Sequence, residues 1–577
     1  MKPFLERIFP IVGWISTYRL SDLRGDLTAG LTVGVMLVPQ SMAYALLAGM
    51  PPIYGLYASV VPLVVYALLG TSRHLSVGTV ALDMLLVYGA LSVLATPGSQ
   101  EYIQLALLLT ALVGLIQLAM ALFRLGFLVN FLSRPVIAGF TSAASIIIGL
   151  SQLKNLLGIP ITSAPRVHEL FWNVLQEIDK IHWPTFLIGT SGIILLYGIK
   201  RWKPTLPGPL IAVTLAALAV WKFKLYTYGV AIVGEIPRGL PDVGLPPVSL
   251  ERTSQLLPSA VALALVQFMN VISLGKTFAF RFGYSINANR ELLAIGSANF
   301  LGSFFKALPV SGSFSRTAVN VQTGARTPLS NVFTASVVFL TLLYLTPLFY
   351  YLPIPIFASI VMVAAFGMVD IQELRYLLHA KRIDGLIALL TFLSTLFIGI
   401  QQGILIGIGL SVLAILYRIS RPHVAILGHI PDTQEYRDIR RFPEEEVLPG
   451  VAILRIDASF GFANAEFLKD FIARVVKEAK EPLKAIVIDA SSVNDIDLTA
   501  LEALDSIARF LREKDIELYI TGAKGPVRDV FARTGFIERL GRDHFFLSLH
   551  RAVEHLMKKY DLQFRSLEKA SNAAGSE

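Results

Sequence analysis

Long apolar runs, each about the length needed to cross a bilayer, fill the first 420 positions and are separated by short polar or Pro/Gly-bearing breaks. The runs predict spans near 27–47, 53–69, 102–123, 133–152, 184–199, 207–221, 256–280, 291–305, 329–350, 353–369, 384–400 and 402–417. Short helices beginning near 79 and within 308–320 bring the total to about fourteen. Pro39 interrupts the first run beside Gln40 and Ser41, and so lets polar side chains meet at membrane depth. Beyond 420 the texture changes to alternating, charged sequence. Segments 451–457, 485–491 and 516–522 read as buried strands, with helical patterns near 464–479, 499–514, 526–535 and 548–559. The expected organisation is an amphipathic cytoplasmic lead-in (1–26), a membrane domain (27–420), an α/β domain (434–560) and a disordered tail (561–577).

Composition supports that division. Of 577 residues 54% are hydrophobic and only 16% charged, with mean hydropathy +0.62, where a soluble chain carries about a quarter charged residues. The net charge of +9 would suggest nucleic acid in a soluble protein. Here the basic clusters at Arg19/Arg24, 200–203, Lys276/Arg281, 375–382 and Arg418/Arg421 all fall on one side of an even number of spans, which is the positive-inside pattern. No nucleic-acid partner is therefore expected, and both termini should be cytoplasmic, with the loop 221–252 on the other side. The absence of cysteine removes disulfides and thiolate chemistry. No nucleophile–base pair or metal cage points to an enzyme.

The stretch 308–320, LPVSGSFSRTAVN, is polar in the middle of this apolar chain. Pro309 and Gly312 favour an extended segment, after which Ser313 or Ser315 can cap a short helix. A helix beginning inside a membrane directs free N–H groups and a positive dipole end at whatever lies ahead, and Arg316 adds a charge, so the stretch suits an anion. A weaker copy lies upstream: LLAGMPPIYGLYASV with LSVGTVALD parallels LLAIGSANFLGSFFK with VSGSFSRTAVN. Seven spans per copy is an odd number, so the copies run in opposite orientations, as in secondary transporters.

VPQSMAYALLAGMPPIYGLYAS, LLGTSRHLSVGTVA, FGYSINANRELLAIGSANFLGSFF and SGSFSRTAVN resemble the sulfate permease (SulP) family, which includes prestin and pendrin, over nearly the whole chain. The resemblance implies an α-helical polytopic membrane protein of seven plus seven inverted spans, divided into core and gate domains and followed by a cytoplasmic α/β STAS domain. It implies a homodimer in the plasma (inner) membrane, in contact with lipid, that carries a small anion by alternating access. Sulfate is the leading substrate; bicarbonate, chloride and dicarboxylate stay open, as does a channel-like or motor-like protein without coupled transport. Carried across by motif, the anion site falls on Gln40, Tyr44, Thr79, Val80, Ala81, Phe314, Ser315, Arg316 and Thr317.

Two departures bear on coupling. Many members have a glutamate in the eighth span, where this chain has Asn270, and the third half-helix carries Asp83, one turn beyond Thr79, where an aliphatic residue is usual. Both are coupling candidates, with no cofactor expected beyond a coupling H+ or Na+. Asp83 is either a cation-responsive group or a structural partner of a nearby base. In the STAS-like segment VNDIDLTALEAL, Leu498 stands where related domains are phosphorylated on serine, and Thr499 is expected to cap the helix.

Overall fold

The computed structural model describes residues 10–15, 18–127, 133–161, 166–203, 206–246, 248–442 and 446–566. It divides into two units, 1–411 and 412–577. Fourteen helical segments account for the spans among the described residues. The first seven are α1 (Leu20–Leu47), α2 (Val61–Leu69), α3 (Ala81–Leu91), α4 (Gln100–Leu122), α5 (Arg134–Ser151), α6 (Trp183–Trp202) and α7 (Gly208–Lys222). The second seven are α8 (Leu250–Phe282), α9 (Ala288–Phe304), α10 (Phe314–Gln322), α11 (Leu329–Leu340), α12 (Ile354–Phe366), α13 (Arg382–Phe397) and α14 (Ile400–Ser420). Seven helices of the described chain, some extended by short adjoining turns, are long and apolar enough to cross a membrane by length and composition.

Some boundaries differ from expectation. α1 begins at Leu20, inside the stretch read as a lead-in, and runs unbroken through Pro39. Proline removes one backbone bond, and packing on both flanks holds the rest of the helix: residues 36–45 are all buried. The close approach of α1 to α11 depends on Gly30 and Gly34, where an added Cβ would lie 2.4 Å from Phe333 Cβ and 2.7 Å from Val337 Cβ. Residues 1–9 of the expected lead-in lie outside the described residues.

Two extended dipeptides lie deep in this unit, β1 (Val77–Gly78) ahead of α3 and β2 (Ser311–Gly312) ahead of α10. They pair antiparallel, Val77 with Gly312 and Gly78 with Ser311, so the helices that follow leave in opposite directions with their N-termini at one shared ladder. This is the inverted repeat in three dimensions. Non-helical backbone at membrane depth must find its hydrogen bonds within the protein, and side chains complete what the two-residue ladder cannot. Asn331 accepts from the Val77 N–H (3.3 Å) and donates to the Leu75 carbonyl (2.9 Å). Asn299 serves the other copy, accepting from the Val310 N–H at 2.7 Å and donating to its carbonyl at 3.3 Å. Thr317 Oγ1 accepts from Ser76 N–H, and Asn320 donates to the His74 carbonyl.

Buried carboxylates fix the loops at the far ends. Glu291 accepts from Tyr66 OH and from Thr71 and Ser72 backbone N–H groups at 2.7–3.0 Å. Asp26 accepts from Arg326 and Thr327 backbone N–H groups, from the Thr327 hydroxyl and from Tyr18 OH. Both carboxylates are fully buried and spend their charge on these donors.

In the C-terminal unit a mixed sheet is built on β3 (Val424–His429), β4 (Tyr436–Asp438), β5 (Glu446–Val447), β6 (Val451–Ile456), β7 (Ala485–Asp489), β8 (Glu517–Thr521), β9 (Phe545–Phe546) and β10 (Arg565–Ser566). β6, β7, β8 and β9 are parallel, while β3 lies antiparallel to β6. α15 (Ala465–Glu478), α16 (Leu498–Arg512) and α17 (Gly525–Arg533) cover one face, on Leu454, Ile486 and Ile488. α18 (Leu549–Tyr560) covers the other, on Ile453, Ala485 and Val487. Burial on both faces explains the continuous apolar runs of these strands. The sheet already includes β3, ten residues ahead of the start expected at 434. Of the expected tail, β10 is ordered against β5, with Phe564 stacked on His429 at 4.2 Å, and 567–577 lie outside the described residues.

Candidate functional site

The two helix starts define the site. In α10 the first helical bond runs from Thr317 N–H to the Ser313 carbonyl (2.9 Å), and in α3 from Met84 N–H to the Val80 carbonyl (3.1 Å). The N–H groups of 314–316 and of 81–83 therefore have no partner within their helices. Ser313 holds the N-cap position, as expected, but makes no side-chain cap bond; its hydroxyl meets Ser315 Oγ at 3.3 Å instead. α3 begins at Ala81, so Thr79 and the N-cap Val80 precede it, and Asp83 is the third helical residue, not one full turn past a helical Thr79.

Arg316 is the largest fully buried side chain described. Its Nη1 donates to the Thr79 carbonyl at 2.9 Å, tying the start of one half-helix to the other, while Nε and Nη2 have no protein partner. Gly78 makes room for it: a Cβ there would lie 3.1 Å from Nη2, and its φ of +152° suits glycine. Other buried, unpartnered polar atoms lie on the same elements: Gln40 Oε1, Ser76 Oγ, Thr79 Oγ1, Asp83 Oδ1 and Ser311 Oγ. Buried polar atoms are normally satisfied, so this concentration on α1, β1, β2 and the two helix starts marks a place for a polar ligand.

Of the residues carried across by motif, Gln40, Tyr44, Thr79, Ala81, Arg316 and Thr317 are buried and Val80 is half-buried. Tyr44 on α1 is an electrostatic neighbour of Arg316. Phe314 and Ser315 are exposed, with Phe278 the ring next to Phe314 at 6.2 Å. Thr317 lends its hydroxyl oxygen to Ser76. Asp83 is fully buried; its Oδ2 accepts from Gln267 Nε2 at 3.1 Å. Asn270 is half-buried one turn along α8, and it is Gln267 that reaches Asp83.

Residue-type reasoning passed over Gln117, Gln267, Asn299, Asn320 and Asn331. Each is a single amide in an apolar helix or at the end of the polar stretch, and only the cost of burying an unpaired amide at membrane depth could have singled it out. In the C-terminal unit the helix cap is Asp497, which accepts from Ala500 N–H at 2.8 Å, and not Thr499; Leu498 is exposed. Sequence could not rank two capping residues that stand only two positions apart.

Two oppositely directed half-helices start at a shared ladder, and a buried arginine links their starts; positive groups gathered inside an apolar helical unit have the chemistry to suit a small anion. Comparison with known proteins gives the family. The sulfate permease family model matches residues 23–391 and the STAS domain model residues 442–552. The chain belongs to the sulfate permease family. It is 38% identical over 573 residues to sulfate transporter 4.1, chloroplastic, of Arabidopsis thaliana, covering 96% of this chain and 83% of that one. It is 36% identical over 542 residues to a probable sulfate transporter of Mycobacterium tuberculosis, covering 94% and 97%. The murine solute carrier 26 family member A9 anion transporter, solved inward-facing, superimposes with TM-score 0.88 at 25% identity, covering 96% of this chain and 95% of that one.

Proposed function

We propose that the chain is a secondary active transporter of a small inorganic anion, sulfate foremost, which it binds between the starts of α3 and α10 and carries by alternating access. The observation that carries this reading is Arg316: a fully buried guanidinium with two unpartnered nitrogens, beside two sets of free helix N–H groups. A buried charge is retained only where something pairs with it, and an oxyanion supplies the acceptors that guanidinium and backbone N–H groups lack. The relatives' names point to sulfate.

Gln40, Tyr44, Thr79, Val80 and Ala81 would line one side of the anion, and Phe314, Ser315, Arg316 and Thr317 the other. The protein is read as a plasma-membrane homodimer with both termini in the cytoplasm, its STAS domain serving assembly or regulation and not catalysis. A second reading, an uncoupled anion-binding channel or motor, draws on Asn270, which leaves α8 without a carboxylate at that position. Uptake of radiolabelled sulfate into proteoliposomes, with pH and sodium gradients imposed separately, tests both. Gradient-driven accumulation supports the transporter; purely downhill flux supports the second reading; the absence of sulfate binding and flux refutes the first.

A further inference from the structure

The buried amides around Asp83 form an ordered chain whose direction is set by the backbone. A peptide N–H can only donate, and Val310 N–H donates to Asn299 Oδ1 at 2.7 Å, so the NH2 end of Asn299 is turned inward. That NH2 donates to Gln267 Oε1 at 2.9 Å and to Gln117 Oε1 at 3.0 Å. Gln117 Nε2 also donates to Gln267 Oε1, at 3.0 Å. With its oxygen thus occupied, Gln267 presents its NH2 to Asp83 Oδ2 at 3.1 Å. Oδ2 is therefore held as an acceptor. Oδ1 is buried and has no partner at full hydrogen-bonding distance; the Ser311 hydroxyl, which acts on the carboxyl group as a looser hydrogen-bond partner, and Arg316 are its remaining polar neighbours.

We propose that Asp83 Oδ1 is a proton-binding site that fills together with the anion. This rests on the anion site proposed above and adds to it the group that answers to pH. The carboxylate takes its proton from solvent as the anion arrives. An ionised carboxylate near Arg316 opposes a second anion there, and its neutral acid does not. By linkage, each ligand then favours the other. The amide chain directs the proton to Oδ1, since protonating Oδ2 would weaken the bond it accepts from Gln267.

The other titratable groups facing this region are Arg316 from α10 and Tyr44 from α1. α8, α4 and α9 contribute Gln267, Gln117 and Asn299, and α5 the buried Ser142 and Ser145, none of which titrates. A sodium ion is a poorer occupant, because it would bring a second full cation beside the Arg316 guanidinium.

The test measures sulfate affinity of the purified full-length protein from pH 5 to 9, together with proton uptake on adding sulfate in weak buffer. Sulfate itself does not titrate in this range. The wild type should lose affinity about tenfold per pH unit over the alkaline limb and take up close to one proton per bound sulfate. Asp83→Asn should show neither. Gln267→Leu, which frees Oδ2, should displace the midpoint while keeping the slope, and it decides the matter with the wild type if Asp83→Asn does not fold. A flat wild-type profile with sulfate still bound, a slope that survives in Asp83→Asn, an unmoved midpoint in Gln267→Leu, or a dependence on sodium in place of protons would each overturn the proposal. Flat profiles with sulfate bound would leave the transporter reading intact. A wild type that binds no sulfate removes that reading, and this one with it.

Discussion

Replacing Arg316 with alanine takes away the one fully buried guanidinium among the described residues, which bridges the starts of the two half-helices. Three consequences follow from its contacts. The Thr79 carbonyl loses the 2.9 Å bond that ties the start of α3 to α10, the two unpartnered nitrogens vanish, and the proposed anion site loses its positive side chain. A hydrogen bond to a charged group is worth about 1.5–3 kcal/mol net. If one such bond to the anion is lost, affinity falls roughly ten- to hundredfold at about 1.4 kcal/mol per decade. Arg316→Lys should recover only part, since an ammonium cannot reach the Thr79 carbonyl and the anion at once in the planar fork geometry. Arg326→Ala is the control: that side chain is largely exposed and paired with Asp22 at 3.1 Å, so its removal should leave affinity near wild type. Isothermal titration of sulfate into purified, monodisperse variants reads all three. An Arg316→Ala protein that is folded and binds sulfate as tightly as the wild type would remove Arg316 from the site and, with it, the main support for the anion reading.

Other outcomes follow from the same geometry. Gly78→Ala leaves Arg316 in place but puts a methyl 3.1 Å from its Nη2 on an unfavourable backbone, and should weaken sulfate binding about five- to hundredfold for a strain of about 1–3 kcal/mol. Asp26→Ala strands the Arg326 and Thr327 N–H groups and two hydroxyls at about 1–3 kcal/mol per buried donor, so the melting temperature of the purified protein should drop clearly. Burial raises the Glu517 carboxyl, but bonds from Lys559, Tyr519 and Tyr560 outweigh it and hold the pKa at about 2 against an ordinary 4.5. Its contribution is thus present above 4.5 and lost as pH falls toward 2, and Glu517→Gln should flatten acid destabilisation of β8 in that window, read by hydrogen exchange. Wild-type protein incubated with serine kinases should gain no phosphate at position 498, where leucine stands, as mass spectrometry of the tryptic fragment would show.

The chain's own pattern was enough to reveal a membrane protein with an α/β domain behind it. Bilayer crossing is imposed by length and apolarity, both local properties, and the parallel strands are legible because two covered faces make an unbroken apolar run. The polar stretch around Arg316 was legible for the same reason, since an arginine among apolar spans has few explanations. Three dimensions decided what local pattern cannot express. Pro39 reads as a break, yet α1 continues through it because neighbours on both sides hold the helix. Thr317 reads as a ligand group and Asn320 goes unnoticed, and the fold sets the polar atoms of both on the backbone of the other repeat, more than 200 residues away. Asp83 acquires a direction only through Gln267, Gln117 and Asn299, single amides on three different helices. A hydrogen bond belongs to two groups at once, and where the partners are far apart in sequence, only the fold determines which of them meet.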